Sequence, residues 1–197
     1  MLKKYKPYII SVLIALLVGA VSAFFTRNNV NIYDNINRPP LSPPMWLFPV
    51  VWSILFILMG IGSAAVYVEN KQGTRDALWI YGIQLIVNFF WSIIFFNMRA
   101  FLFAFIWLAL LWVLIIWMII SFKKVNVIAA YLQIPYLLWV TFAGYLTLMT
   151  YILNGWYIFF EWNKAEKTDI AYLPYFNVWI LPAKWFVCYR KPSSTIA

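Results

Sequence analysis

ALWIYGIQLIVNFFWSIIFFNM, at residues 77–98, contains no Asp, Glu, Lys or Arg. A single arginine, Arg99, separates it from a second uncharged stretch, AFLFAFIWLALLWVLIIWMIISF, at residues 100–122. A helix needs about 20 predominantly apolar residues to cross a lipid bilayer, and both stretches are that long. A link this short forces the two helices to run antiparallel, so this part of the chain predicts a membrane-spanning helical hairpin.

Three more uncharged stretches surround this hairpin, two before it and one after it. We therefore predict an all-α integral membrane protein, a five-transmembrane-helix bundle at residues 1–154. The expected spans are about 7–25, 45–68, 77–96, 101–122 and 126–153. Residues 155–197 form an aromatic-rich C-terminal extension, which we expect at the membrane interface because Trp and Tyr favour the headgroup level.

The composition also indicates a membrane protein whose first partner is the lipid bilayer. Hydrophobic residues make up 65% of the chain and charged residues 11%, whereas a soluble domain typically carries about 25% charged residues. The net charge of +9 does not indicate nucleic-acid binding. The basic residues cluster at the ends of the predicted spans and in the tail, where they match the positive-inside rule and contact with anionic lipid.

The distribution of these basic residues predicts the orientation of the bundle. One side carries the larger group, which consists of Lys3, Lys4, Lys6, Lys71, Arg75, Lys123 and Lys124. The other side carries Arg27, Arg38 and Arg99, followed by a basic tail. Because cytoplasmic loops are enriched in Lys and Arg, we expect a cytoplasmic amino terminus and an outward-facing first loop. The expected location is multi-pass in a bacterial inner membrane.

The chain offers few groups for acid–base or metal chemistry. It has no histidine and one cysteine, Cys188, so an intrachain disulfide is impossible and a metal site is not expected. The predicted spans carry no Asp, Glu, Lys or Arg in their interior, whereas ion-coupled transporters place such groups at membrane depth. We therefore predict no conventional catalytic residue and no required cofactor.

The polar residues of the third span are neutral. Gln84, Asn88 and Ser92 recur every four residues, so they share one helix face. Two interpretations are open. These groups either hydrogen-bond neighbouring helices, as polar groups in lipid must, or line an inner cavity and contact a ligand.

Aromatic residues are abundant, with 12 Trp, 13 Tyr and 17 Phe. Trp52 and Phe56 lie one turn apart on the second span, and Trp139 and Ala143 lie one turn apart on the fifth. Such residues either pack the bundle or form the walls of a site for a flat, mostly apolar ligand. Periodicity alone leaves both interpretations open.

Small residues recur on the first span. Ala15, Gly19 and Ala23 follow a four-residue spacing, which lets another helix approach closely. The ridge serves either packing within the bundle or the seam of a homodimer. Between the first two spans, residues 26–44 form a long loop in which four prolines forbid a regular helix.

Four motifs, in this order, resemble the TspO/MBR family of tryptophan-rich sensory proteins and translocator proteins. The loop YDNINRPPLSPP at 33–44 resembles the family's W-Y-x-x-L-x-K-P-x-W-x-P-P, and VWSIL at 51–55 resembles V-W-x-x-L. QLIVNFFWS at 84–92 resembles Q-L-x-x-N-x-x-W-S, and PYLLWVTFA at 135–143 resembles P-Y-x-x-W-x-x-F-A. The resemblance covers about residues 8–154.

This resemblance implies a bundle that encloses a ligand cavity open toward the first loop. Family members bind porphyrins such as protoporphyrin IX, some sterols, and synthetic isoquinoline and benzodiazepine ligands, and they are often homodimers. The residues that match the family's ligand site are Trp52, Phe56, Asn88, Trp91, Trp139, Ala143 and Leu146. Pro43 and Pro44 would hold the loop over the mouth of the cavity.

We therefore predict a membrane receptor for porphyrin-like tetrapyrroles or other flat apolar ligands such as sterols, with a sensory or stress-regulatory role. Two alternatives stay open. Some bacterial family members degrade porphyrin in light, which would make Trp52 and Trp139 redox-active side chains. A passive transporter of apolar small molecules is the other alternative, because such a protein needs no charged group at membrane depth.

The chain departs from the family pattern at several positions. Ile32 and Leu41 stand where the family loop has tryptophans, and Arg38 replaces its lysine. Thr147 stands in place of a common asparagine in the fifth helix, and Trp107 lies near the position of a frequent acidic residue in the fourth. The fold is expected to be the same, and the lid contacts and the ligand preference are expected to differ.

Overall fold

The computed structural model describes residues 2–30 and 36–165, with side chains over 5–30 and 36–154. The described residues contain no β-strand. A π-helical turn, Ile93–Asn97, continues the third helix. The α-helices are α1 (Leu2–Thr26), α2 (Leu47–Glu69), α3 (Thr74–Ser92), α4 (Phe101–Val125), α5 (Val127–Tyr131) and α6 (Ile134–Ala165). One compact unit covers Met1–Phe159, and a second unit begins at Phe160.

The described residues of this unit include 5 helical stretches that are long and apolar enough to cross a membrane. Their bounds are Tyr5–Thr26, Leu47–Glu69, Thr74–Asn97, Phe101–Val125 and Val127–Asn154. This finding confirms the predicted all-α, five-helix integral membrane architecture. The first two helices are joined by the proline-containing loop, and the remaining links are short.

The fifth span is interrupted just before Pro135. Helix α5 ends at Tyr131, a turn follows at Leu132 and Gln133, and α6 begins at Ile134. Proline has no amide hydrogen to donate. This is least costly in the first turn of a helix, where a backbone amide has no carbonyl partner within the helix. The chain therefore breaks just upstream and starts a new helix around the proline.

Helix α6 continues past Asn154 as far as Ala165, beyond the span predicted to end near 153. The sequence remains free of charge until Glu161 and contains no proline in this region. The helix passes through Gly155, a residue type that often ends helices. The predicted interfacial segment beyond residue 165 lies outside the described residues.

Side-chain contacts join two of the interhelical links at one end of the bundle. Lys71 Nζ, between α2 and α3, donates to the carbonyl oxygen of Val125 at the end of α4, with an N–O distance of 3.4 Å. Asn126 Nδ2 donates to Glu69 Oε1 at 3.2 Å, and Asn126 Oδ1 accepts from the amide of Ala129 at 2.9 Å. The α2–α3 and α4–α5 links therefore share this end.

The opposite end is joined in a similar way. Asn29 Nδ2, after α1, donates to Asn97 Oδ1 at 2.9 Å, and Asn97 Nδ2 donates to the carbonyl oxygen of Phe25 at 3.0 Å. The spans therefore alternate in direction, with Arg27 and Arg99 at the end opposite Lys71. Which end faces the cytoplasm stays a prediction.

Helix α4 shows how the bundle separates its core from its lipid-facing surface. The side chains at its buried positions are at most 3% exposed, and they include Leu108, Leu111, Ile115, Met118 and Phe122. Trp112 and Trp117 lie on the other face and are 38% and 57% exposed. Both faces are apolar, as expected for a helix with protein on one side and lipid on the other.

Helices α1 and α2 pack with their backbones close together. A Cβ atom added to Gly60 would lie 2.5 Å from the Cα atom of Val12. A Cβ atom added to Gly19 would collide with the ring of Phe56, and Ala15 is fully buried at 0% exposure. At Ala15 and Gly19 the ridge of small residues therefore serves packing within the bundle, and a homodimer stays a prediction.

The close approach of α1 and α2 generates a stability prediction. Gly60→Ala should lower the free energy of unfolding by about 1–3 kcal/mol, because the added methyl group meets the backbone of Val12, which cannot move aside. Reversible denaturation in detergent micelles, followed by far-ultraviolet circular dichroism, measures this change. The matched control is Gly82→Ala on α3, where nothing lies within 4 Å of the added atom. Equal stability of the two variants would contradict the prediction.

Candidate ligand-binding site

A buried polar network links α3 to α6. The Tyr136 hydroxyl donates to Gln84 Oε1 at 2.9 Å and accepts from Asn88 Nδ2 at 2.7 Å. Gln84 and Tyr136 are 0% exposed and Asn88 is 4% exposed. The amides on the polar face of α3 thus bond to a neighbouring helix, which was the first of the two interpretations. A contact between Asn88 and a ligand stays a prediction.

An aromatic cluster adjoins this network at Tyr136 and contains three of the predicted site residues. The ring centroid of Trp52 lies 6.2 Å from that of Tyr136, 6.4 Å from that of Trp91 and 5.7 Å from that of Phe56. Trp91 stacks on Phe95 at a centroid distance of 5.5 Å. Helix spacing explains the contact between Trp52 and Phe56, because they are one turn apart on α2.

Trp139 belongs to a neighbouring aromatic group. Its ring centroid lies 5.9 Å from that of Phe48 and 5.8 Å from that of Phe142. Phe48 precedes Trp52 by one turn of α2, so the two groups lie along the same helix. Ala143 and Leu146 follow on α6 and are 6% and 2% exposed. The enclosed cavity that these residues are expected to line stays a prediction.

Two indole groups of these clusters have buried N–H donors without a hydrogen-bond partner among the described residues. They are the Nε1 atoms of Trp91 and Trp139. By contrast, Trp107 Nε1 donates to the carbonyl oxygen of Val87 at 2.8 Å, and Trp112 Nε1 donates to the Thr141 hydroxyl. Most buried polar groups in proteins have a partner, so these two donors are exceptions. The Tyr81 hydroxyl and Gln133 Oε1, which lie outside the aromatic groups, are two more among the described residues.

The positions that depart from the family pattern have defined contacts. The Thr147 hydroxyl donates to the carbonyl oxygen of Ala143 at 2.7 Å, within its own helix. Trp107, near the position of a frequent acidic residue, bonds the backbone of α3 beside Asn88. At both positions the polar group of the side chain therefore donates to a backbone carbonyl oxygen of a helix.

The first loop is attached to α6 by two side chains. Asn154 Oδ1 accepts from the amide of Asn37 at 2.8 Å, and Asn154 Nδ2 donates to the carbonyl oxygen of the same residue at 3.0 Å. The Tyr145 hydroxyl donates to the carbonyl oxygen of Pro40 at 3.1 Å. These bonds hold the described part of the loop on the helix that carries Trp139.

The end of the loop leads into α2. The carbonyl oxygen of Pro44 accepts from the amide of Leu47 at 3.0 Å, and Pro43 is half-buried. Leu41 is 80% exposed and has a φ of 65°, a left-handed conformation that a non-glycine residue adopts at a cost of about 1 kcal/mol. Ile32 lies outside the described residues.

Several residues of this region were not selected from the sequence as site residues. They are Phe48, Tyr136, Phe142, Tyr145 and Asn154. Tyr136 is part of the PYLLWVTFA motif, and its position one residue after the helix-starting Pro135 was a usable signal. No local pattern identifies Asn154, because its partner Asn37 is 117 residues away.

The geometry defines a multi-pass helical membrane protein with a buried, neutral and largely aromatic region between its helices. Residues 11–153 match the TspO/MBR family model, and the chain belongs to this family.

Curated relatives agree with this assignment. The tryptophan-rich protein TspO of Chlorobaculum tepidum is 35% identical over 144 residues, which cover 72% of this chain and 91% of the relative. The tryptophan-rich sensory protein of Cereibacter sphaeroides is 34% identical and covers 68% of this chain and 79% of the relative. The translocator protein of Bos taurus is 31% identical, and the matched region covers 66% of this chain and 79% of the relative.

The attachment of the loop generates a prediction about local opening. Asn154→Leu removes both bonds to Asn37, each worth about 0.5–1.5 kcal/mol, so amide hydrogen exchange over 36–44 should become about tenfold faster. Exchange measured by mass spectrometry in detergent checks this expectation. Thr147→Val is the control, because this hydroxyl bonds only its own helix. Unchanged protection of the loop in Asn154→Leu would show that these bonds do not hold it closed.

Proposed function

We propose that this protein is a membrane receptor for a flat, mostly apolar ligand of the tetrapyrrole class, with protoporphyrin IX as the reference ligand and sterols as the next class. The ligand would report a metabolic or stress state to the cell, which is a sensory role. The observation that carries the proposal is the aromatic cluster around Trp52, built on the buried Gln84–Tyr136–Asn88 network.

The composition of this region supports a flat ligand. Aromatic side chains stack on planar molecules and provide large contact areas, while a few polar groups define the orientation of the bound molecule. Because the Tyr136 hydroxyl pairs two buried amides, part of the polar framework is already ordered before a ligand binds. Preorganisation of this kind reduces the cost of binding.

Family membership also supports a receptor role. The chain belongs to a family whose members carry the names sensory protein and translocator protein. In this chain the region around Trp52 consists of rings and neutral amides. Binding by stacking and hydrogen bonding therefore accounts for the arrangement better than acid–base catalysis does.

The receptor proposal predicts the effect of two substitutions on porphyrin affinity. Trp139→Ala removes a ring that contacts Phe48 and Phe142, and Ala143→Phe fills the adjacent buried position. Each should weaken binding of protoporphyrin IX about tenfold or more, equivalent to ~1.4 kcal/mol. Quenching of tryptophan fluorescence during titration in the dark measures the affinity.

The matched control for this titration is Trp117→Ala, which truncates a lipid-facing indole that is 57% exposed. Circular dichroism establishes that all variants retain the helical bundle. If Trp139→Ala and Ala143→Phe bind porphyrin as tightly as the unchanged protein, the ligand does not occupy this site.

A second candidate function is light-dependent porphyrin degradation. The observation that favours it is the short distance between two indoles, since the Trp52 and Trp91 centroids are 6.4 Å apart. A light-excited porphyrin next to Trp52 would take one electron from the indole, and the porphyrin radical anion would pass this electron to dioxygen from solution to form superoxide. The oxidised indole would then take an electron back from the porphyrin, and superoxide would add to the oxidised ring, so that the net reaction is oxidation of porphyrin by dioxygen. No acid or base is needed for this electron transfer.

The second candidate predicts that illuminated protoporphyrin IX decays faster when bound. Replacement of Trp52 and Trp139 together by Phe should slow this decay toward the rate of the free porphyrin, because phenylalanine is much harder to oxidise than tryptophan. Absorbance of the porphyrin under constant light measures the rate, with Trp117→Phe as the control. Decay at the same rate in the double variant would exclude this chemistry, whereas the receptor proposal would stand.

A further inference from the structure

Two buried polar groups lie outside the aromatic groups of the candidate site. Gln133, in the turn between α5 and α6, is fully buried, and Tyr81, on α3, is 8% exposed. Gln133 Oε1 and the Tyr81 hydroxyl have no hydrogen-bond partner among the described residues. A buried polar group without a partner has lost its hydrogen bonds to water and gained none in return, so both groups require an explanation.

The orientation of the Gln133 amide follows from its nitrogen atom. Nε2 donates to the carbonyl oxygen of Ala129 at 3.2 Å and to that of Leu58, on α2, at 3.5 Å. A Cβ atom added to Gly62 would collide with Nε2, so a glycine at this position of α2 leaves room for the amide. Exchange of the amide oxygen and nitrogen would set Oε1 against two carbonyl oxygens, and a carbonyl oxygen cannot donate. Oε1 is therefore an acceptor that still requires a donor.

The next residue of α2, Ser63, lies beside Tyr81. The Tyr81 hydroxyl faces the Ser63 side chain, but the two do not form a hydrogen bond of normal geometry. The Ser63 hydroxyl donates to the carbonyl oxygen of Gly60 at 3.0 Å, so its oxygen is left only as an acceptor. Two consecutive residues of α2 thus contact Gln133 on one side and Tyr81 on the other.

Helix geometry places these groups at one depth in the bundle. Three residues at the end that carries Lys71 serve as reference points, namely Glu69, Thr74 and Asn126, of which Asn126 Nδ2 donates to Glu69 Oε1 at 3.2 Å. Gly62, Tyr81 and Gln133 each lie seven residues further into the bundle along their own span. Seven helical residues rise about 10 Å. Gly62, Ser63, Tyr81 and Gln133 therefore form one layer, which we call the lower polar layer.

The lower polar layer is separate from the aromatic groups. On α2, Ser63 follows Trp52 by eleven residues, and on α3, Tyr81 precedes Trp91 by ten residues. Both separations correspond to about 15 Å along a helix. The layer therefore lies nearer to the solvent at the end that carries Lys71 than the aromatic groups do.

We propose that the lower polar layer is a second binding site, which holds a water molecule between Gln133 Oε1 and the Tyr81 hydroxyl. A water molecule donates two hydrogen bonds and accepts two, so it can donate to Oε1 and accept from Tyr81 at the same time. Its second hydrogen can reach the free lone pair of Ser63. The four residues of the layer carry no charge, which suits a small neutral molecule.

The position of this site explains why water would bind there. Buried water molecules in proteins bond polar groups that have no other partner. In membrane helices, ordered water also supplies hydrogen bonds where a proline interrupts the helix, and Gln133 lies two residues before Pro135. The bound water would complete the hydrogen bonding at the break in the fifth span. This inference does not depend on the proposed porphyrin ligand.

The first arm of the test is a crystal structure of the unchanged full-length chain at a resolution that shows ordered water. An isolated oxygen should lie about 2.7–3.2 Å from both Gln133 Oε1 and the Tyr81 hydroxyl oxygen. A direct bond between Tyr81 and Ser63 with no oxygen beside Gln133 Oε1 would overturn the proposal. So would a direct bond between Tyr81 and Gln133.

The second arm measures whether the two groups share a partner. Tyr81→Phe and Gln133→Met should each lower the midpoint of thermal unfolding by about 2–4 °C or more. The double variant should lose less than the two shifts together, because the shared water is already lost in each single variant. The matched control combines Tyr81→Phe with Thr147→Val, whose shifts should add because the Thr147 hydroxyl bonds its own helix. Additive shifts for Tyr81 and Gln133 contradict a shared water, and the crystal structure decides if Gln133→Met does not fold.

A titration with protoporphyrin IX tests whether the two sites are separate. Tyr81→Phe removes a hydroxyl from the lower polar layer and keeps the ring, so its porphyrin affinity should equal that of the unchanged protein. A tenfold loss of affinity would show that the layer belongs to the ligand site and would overturn the assignment of a second site. If no porphyrin binds to the unchanged protein, the proposed function fails, while the crystal structure and the unfolding midpoints still decide this inference.

Discussion

The bundle depends on the hydroxyl group of Tyr136, which joins two amides of another helix where water is excluded. In the apolar interior of a membrane protein, a buried polar group without a partner is costly. Gln84 and Asn88 lie one turn apart on α3, and one hydroxyl at 2.9 Å and 2.7 Å pairs both. This pairing defines the rotation of α6 against α3. The same rotation places the Tyr136 ring against Trp52 and therefore positions the candidate site.

Several polar side chains of the apolar interior bond the backbone of a helix. Thr147 and Thr150 bond their own helix, and Trp107 bonds the backbone of a neighbouring one. These groups hold the bundle together. Trp91 and Trp139 lie among rings and have no partner in the described residues.

The sequence predicted the membrane architecture well because charge is so costly in lipid. It predicted less of the site, since helices that are apolar on every face show no periodicity. On α4, buried Leu111 and exposed Trp112 are adjacent and both apolar. Trp52 and Trp91 were selected through family motifs, and the structure places their rings side by side. Tyr136, the residue on which the network depends, was part of a quoted motif but was not selected.

The sequence by itself determined the number, length and order of the spans and the antiparallel direction of neighbours, because these follow from uncharged stretches and short links. Only the tertiary structure decided which face of each helix points inward and which distant residues pair, such as Asn37 with Asn154 across 117 positions. The physical reason is that lipid and the protein interior are about equally apolar. The hydrophobic effect therefore does not choose between helix faces, and close packing and hydrogen-bond partners make that choice.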